Sequence, residues 1–373
     1  MEHMKKFLLA SLTLFSLGMF AQNYQFQNLI EIESTPVISQ DRTGTCWSYA
    51  TISFLESEVI RLTGKQIDLS EMYNVRNTYM EKAENYIMRQ GKAQFSQGAL
   101  GHDVINSVAK YGVVPVEVFQ GKEESEEKHD HTEMETALKA MAESFAKTKK
   151  LSPKWRQAVS SVLDVYMGEN PTEFTFEGKK YNPKSFLNYT KINPKEYVSL
   201  TSFTHQPFYS SFILNIPDNF SNGSFYNVPM DELIENIDNA LAKGFTIALD
   251  CDVSEVGFSA KEGIAVVPVD AEDKEKIFLK EIKPEMEITQ EFRQREFENF
   301  NTTDDHLMHI VGKVKDQNGT IYYTVKNSWG STGERVGNNG YIYMSVPYTK
   351  LKTISIMVHK EALLSKTTRS LKI

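Results

Sequence analysis

Cysteine is nearly absent from this chain: its 373 residues include only Cys46 and Cys251. That excludes a disulfide scaffold, because at most one bridge is available and a chain of this size does not need it to hold a core. Basic charge is also scarce, with 41 Lys and Arg against 49 Asp and Glu, a net charge of −8 and no Lys/Arg block suited to phosphates. Long-range repulsion therefore argues against a nucleic-acid partner. No apolar run reaches the roughly 20 residues that a membrane-spanning helix needs. There is no internal repeat and no low-complexity linker. What remains, 40% apolar and 11% aromatic residues, describes a globular protein of one large or two modest domains.

The first residues have the layout of an export leader. Lys5 and Lys6 precede an apolar stretch from Phe7 to Phe20, and Ala21 stands before Gln22 as a cleavage point. Residues 1–21 are thus expected to be removed, which leaves residues 22–373 as a soluble, periplasmic or secreted protein without stable membrane insertion. Translation starts at Met1 or Met4.

The most informative segment is Gln40-Asp41-Arg42-Thr43-Gly44-Thr45-Cys46-Trp47-Ser48. Behind it, Ile52, Leu55, Val59 and Leu62 recur at helical spacing and Gly64 ends the run. Cys46 therefore falls in the first turn of a helix, where unpaired N–H groups and the positive end of the helix dipole favour a thiolate, and a nearby protonated His would lower its pKa further. The plain alternative is a core cysteine beside Trp47. Residues 68–90 and 104–111 also read as helices. Residues 122–150 read as a charged, solvated helical excursion, and His129-Asp130-His131 within it lacks a third ligand, so no metal is expected.

From Gly244 onward the pattern changes to short β-branched and aromatic runs: 245–249, 264–269, 310–314, 321–325, 341–346 and 354–358. Asp316-Gln317-Asn318-Gly319 signals a hairpin that brings His309, at the start of one strand, beside Asn327, just past the end of the next. A thiol on a helical half and a His/Asn pair on a β half define a cleft between two halves of an α+β fold.

These elements, Gln40 with Cys46-Trp47, Met308-His309, and Lys326-Asn327-Ser328-Trp329-Gly330, resemble the papain superfamily of cysteine peptidases. Leu69-Ser70-Glu71-Met72-Tyr73, Ala109-Lys110-Tyr111-Gly112-Val113-Val114-Pro115, Cys251-Asp252-Val253 and the long gap between Cys46 and His309 place the resemblance in the bleomycin hydrolase and aminopeptidase C branch. It covers residues 38–363, with an insertion expected at about 120–230. It implies a papain-like fold, a helical domain plus an antiparallel β-barrel-like domain. It also implies a thiol peptidase that releases N-terminal residues from peptides, with no metal or organic cofactor and possible homo-oligomers. Cys46 is the expected nucleophile, His309 its proton partner with His306 as rival, and Asn327 the group that orients the imidazole. Gln40 is the expected oxyanion donor, and Trp329 the cover over the His–Asn bond.

The resemblance also implies that Gly98 and Ala99 line the substrate backbone, although a Gly-Gly pair is usual there. A C-terminal arm, whose carboxylate holds the substrate's amine, is a further implication, yet only Leu364 to Ile373 follow the last expected strand. An endopeptidase with the same triad, a catalytically silent papain-like binding protein and a disulfide-bridged structural protein are the alternatives.

Overall fold

A computed structural model describes residues 23–123 and 125–373. The expected leader lies outside the described residues. A first strand, β1 (Gln27–Glu31), precedes helix α1 (Cys46–Thr63). The apolar spacing behind Cys46 forms this helix, and Trp47 to Val59 are buried without interruption, so α1 is enclosed on every side rather than amphipathic. Gly64 ends it at φ 68°, a left-handed conformation in which its N–H reaches the Ile60 carbonyl. Helices α2 (Glu71–Met88) and α3 (Gly101–Tyr111) pack next to it. Ser70 caps α2 by accepting from the Tyr73 N–H.

The middle of the chain is only partly helical. Helices α4 (Thr132–Lys147) and α5 (Trp155–Met167) bury Met134, Leu138, Val159 and Leu163 against α2. A hairpin of β2 (Phe174–Phe176) and β3 (Lys179–Tyr181) and helix α6 (Pro183–Thr190) follow. Strands β4 (Tyr197–Thr201), β5 (Ser211–Ile213) and β6 (Ser224–Asn227) then join the main sheet. Residues 120–230, expected as a helical insertion, are thus helical in their first part and join the sheet of the β half in their second.

The β half comprises α7 (Met230–Ala242), β7 (Ile247–Cys251), β8 (Phe258–Ser259), β9 (Ile264–Ala265), α8 (Gln290–Glu298), β10 (His306–Lys315), β11 (Ile321–Lys326), β12 (Tyr341–Ser345), α9 (Val346–Lys352), β13 (Thr353–His359) and α10 (Ser365–Leu371). Its sheet runs β5-β6-β4-β13-β7-β10-β11-β12-β9-β8, with β1 paired to β10. The expected hairpin closes β10 onto β11, where the Asp316 carboxylate accepts from the Asn318 and Thr320 N–H groups and Gly319 turns at φ 87°.

Period-two alternation sorts the strand residues. Ala248, Leu307 and Met357 join the core of the helical half, whereas Leu249, Met308 and Ile356 join the core of the β half. The cleft lies along this seam. The last helix, α10, is tied to α7, with Thr367 donating to Glu232 at 2.5 Å and Asn236 donating to Thr367 at 3.0 Å. Ile373 packs on the core of the β half.

Candidate active site

Cys46 opens α1 and is half-buried, with a free thiol. Cys251 is also free and faces the β-half core, so the bridged alternative finds no support in the geometry. The strand pairing sets Leu307 next to the thiol, and its backbone N–H favours the thiolate. Burial works the other way and dominates: together with the charges of Asp304, Asp218 and Asp250 it pushes the thiol up to about 12. A standing thiolate, as expected from the helix start alone, is therefore not what this environment favours.

The imidazole that meets Asn327 belongs to His306. Its Nε2 donates to Asn327 Oδ1 at 2.7 Å, and the Ser328 N–H holds the same oxygen at 2.8 Å. The Trp329 ring lies 4.7 Å from the His306 ring at an interplanar angle of 33°, covering that hydrogen bond. The expectation that Asn327 orients His309 is thus corrected. The two histidines are three residues apart on β10, an odd separation, so they leave the strand on opposite faces. His309 lies across from Lys326 in the strand pairing and points at α1, where its Nδ1 meets Ser53 Oγ at 2.9 Å. Burial lowers the His306 pKa to about 4, with the bond to Asn327 opposing. His306 is therefore neutral at rest, and with Nε2–H given to Asn327 its Nδ1 keeps a lone pair.

Gln40 is locked in place. Its backbone N–H donates to the Ser328 carbonyl at 2.8 Å and its Oε1 accepts from Ser328 Oγ at 2.7 Å. Its Nε2 donates one hydrogen to the Thr43 carbonyl at 2.6 Å, which leaves the second free. Gln97 ties the Gly98-Ala99 segment to the nucleophile: its Oε1 accepts from the Gly44 N–H at 2.6 Å and its carbonyl accepts from Trp47 Nε1 at 2.9 Å. Lys82 Nζ donates to the Gly98 carbonyl. Ala99 is buried and its φ is not positive, so its methyl group imposes no backbone strain.

Behind the cleft lies a cavity of about 300 Å³ lined by Ser53, Glu56, Glu71, His309 and Lys326 among others. Lys326 Nζ donates to Ser53 Oγ at 2.7 Å and to Thr35 Oγ1 at 3.0 Å, and Thr35 in turn donates to Glu56 at 2.5 Å. Among the described residues, Glu56, Asp68 and Glu71 are the trio close enough to share an ion. Lys326 already supplies their positive charge, and burial holds Glu56 up at about 8.

The sequence pattern of the Peptidase C1-like family matches residues 18–372. The chain belongs to that family. Aminopeptidase C of Listeria monocytogenes is 25% identical to this family member over 376 residues, covering 89% of this chain and 82% of the relative. Bleomycin hydrolase of Mus musculus is 23% identical over 391 residues, covering 90% and 82%. The solved structure of PepW from Lactobacillus rhamnosis shares the fold at a TM-score of 0.75 and 18% identity, covering 93% of this chain and 84% of that one. The papain-like α+β fold and the thiol peptidase activity read from the sequence stand, with peptides as the substrate class. The expected periplasmic or secreted location does not: the named relatives are cytosolic enzymes.

His306 was underweighted in the sequence, and a signal for it exists. His309 stands inside the apolar run Leu307-Met308-His309-Ile310-Val311, the pattern of a buried strand interior, whereas His306 follows Asp304-Asp305 at the strand's mouth. The carboxylates of Asp218, Asp250 and Asp304 were missed, because nothing in their spacing joins them.

Proposed function

We propose that this peptidase is an aminopeptidase in which Cys46 is the nucleophile and His306 its general base and acid. The observation that carries the reading is the His306–Asn327 hydrogen bond under Trp329, with the backbone of the next residue, Leu307, meeting the half-buried thiol at a helix start. As Cys46 Sγ attacks the peptide carbonyl carbon, its proton passes to His306 Nδ1, which avoids an isolated buried thiolate. The C–N bond then breaks, His306 returns the proton to the leaving amine, and water hydrolyses the acyl-enzyme with His306 again as base.

Asn327 positions the ring, and its Oδ1 stabilises the imidazolium. The second Gln40 amide hydrogen and the Cys46 N–H face the developing oxyanion, each donor contributing about 3 kcal/mol. Gly98 and Ala99 offer the substrate an extended backbone beside the thiol, and self-association accompanies the reading as a further implication of the family resemblance.

The relatives' names, aminopeptidase C and bleomycin hydrolase, support release of N-terminal residues. The test is hydrolysis of leucine 7-amido-4-methylcoumarin beside its N-acetyl form under reducing conditions, with a thiol-directed inhibitor as control. Inhibitor-sensitive cleavage confined to the free-amine substrate is expected. Equal or better cleavage of the blocked substrate would make the enzyme an endopeptidase with the same triad.

A further inference from the structure

Three carboxylates that the reaction does not use act on the Cys46 thiol through their charge, and they arrive from separate parts of the chain. Asp218 comes from the loop between β5 and β6 and lies directly over Gly98, where a Cβ would sit 1.8 Å from its Oδ2. Gln94 donates to its Oδ1 at 3.1 Å. Asp250 stands on β7 opposite Leu307 and is 1% exposed. It shares the strand face of Ala248, which is the side of the helical half. Its Oδ2 accepts from Ser355 Oγ at 3.2 Å, while its Oδ1 is buried with no donor. Asp304, two residues before His306, has a buried Oδ2 that also lacks a donor.

Asp250 and Asp304 lie within hydrogen-bonding reach of each other. Two carboxylates in contact, with no protein N–H or O–H between them, need either a shared proton or a cation. Among the described residues Lys82 acts on Asp218, and it is already committed: Nζ donates to the Gly98 carbonyl and sits 4.8 Å from the centre of the Phe220 ring. The described C-terminal residues bring no carboxylate here, since α10 is bonded to α7 and Ile373 is packed on the β-half core.

We propose that Asp250, Asp304 and Asp218 form a cation subsite beside Cys46, on the Gly98 side of the cleft, that holds the free α-ammonium of the substrate. This rests on the aminopeptidase reading above and supplies its selectivity. On binding, the proton shared by Asp250 and Asp304 leaves to solvent and the ammonium N–H groups donate to the two orphaned oxygens. A free N-terminus thus anchors the substrate.

The full chain and its Asp304→Asn and Asp250→Asn variants are to be compared on leucine 7-amido-4-methylcoumarin, its N-acetyl form and an N-acetyl-lysyl analogue. The ratio of kcat/KM for the free-amine over the N-acetyl-leucyl substrate is expected to fall about 30-fold or more in each variant. Asp218→Asn gives a smaller fall in the same direction.

An unchanged ratio overturns the subsite, and so does a loss confined to the lysyl analogue, which would mark a side-chain pocket instead. Alkylation of Cys46 by leucine chloromethyl ketone against its N-acetyl form reads the subsite without turnover. A free-amine preference that the variants lose, in a protein that hydrolyses neither substrate, would keep the subsite and remove the aminopeptidase reading. Turnover with no such preference would do the reverse.

Discussion

Strand β10 carries two histidines into two very different places. His306, at its start, faces the cleft with one nitrogen held by Asn327, a covering indole and a free lone pair. His309, three residues on, faces the cavity behind, bonded to Ser53 beside Lys326 and Glu56, with Nε2 buried and unpartnered. Both are buried and both have lowered pKa values, His306 to about 4 and His309 also well below its ordinary range, in each case chiefly through burial. Burial and pKa therefore do not tell a reactive imidazole from a structural one. The difference lies in what holds each ring: the cleft leaves one nitrogen available beside a nucleophile, and the cavity surrounds the other ring with fixed charge.

The contrast predicts separable losses. Cys46→Ser is expected to reduce kcat/KM about 10⁴-fold or more while leaving the unfolding transition in place. His306→Ala should cost about 10³-fold in kcat with little change in thermal stability. His309→Ala should do the opposite, lowering stability by about 2–3 kcal/mol in denaturant titrations while the folded protein retains turnover within a few-fold. If His309→Ala proves the inactive variant, the assignment of the two rings is reversed.

Asn327→Ala is expected to retain measurable activity at about a hundredth of the parent. It removes the contact that raises the His306 pKa, so the ring becomes a weaker base. In the cavity, Lys326→Met should destabilise the fold by about 2–4 kcal/mol, since it leaves the acidic groups without their cation.

The smallest expected effect is a pH dependence. Burial raises the Glu56 carboxyl from 4.5 to about 8, so the folded state holds a proton that the unfolded chain has released. Stability should therefore decline as pH rises from about 4.5 through about 8 and level off above, and Glu56→Gln should flatten that slope in equilibrium unfolding.

Much of the helical half was legible locally. Ile52, Leu55 and Val59 at helical spacing with Gly64 behind them describe α1 nearly to its last residue, and the helix read over residues 68–90 contains α2. The hairpin at Asp316–Gly319 was equally plain, because an Asn-Gly turn states its own geometry. What escaped was parity. A strand shifted by one residue exchanges its faces, and the expected strand began at Ile310 whereas β10 begins at His306, so the face that meets Asn327 was misread. The five β strands within residues 120–230 escaped as well, since β2, β3, β5 and β6 are three or four residues long and β4 takes its partner β13 from a distant part of the chain.

The order of residues alone settled the nucleophile's place at the first turn of a buried helix, the Asn-Ser-Trp-Gly element after a hairpin, and a two-part α+β fold, because each depends on spacing between near neighbours. The choice of His306 over His309, the protonated state of the thiol, the docking of α10 on α7 and the meeting of Asp218, Asp250 and Asp304 at Cys46 were decided only by tertiary structure. Each of these depends on which faces of distant segments are buried together, and on the low-dielectric surroundings that burial creates.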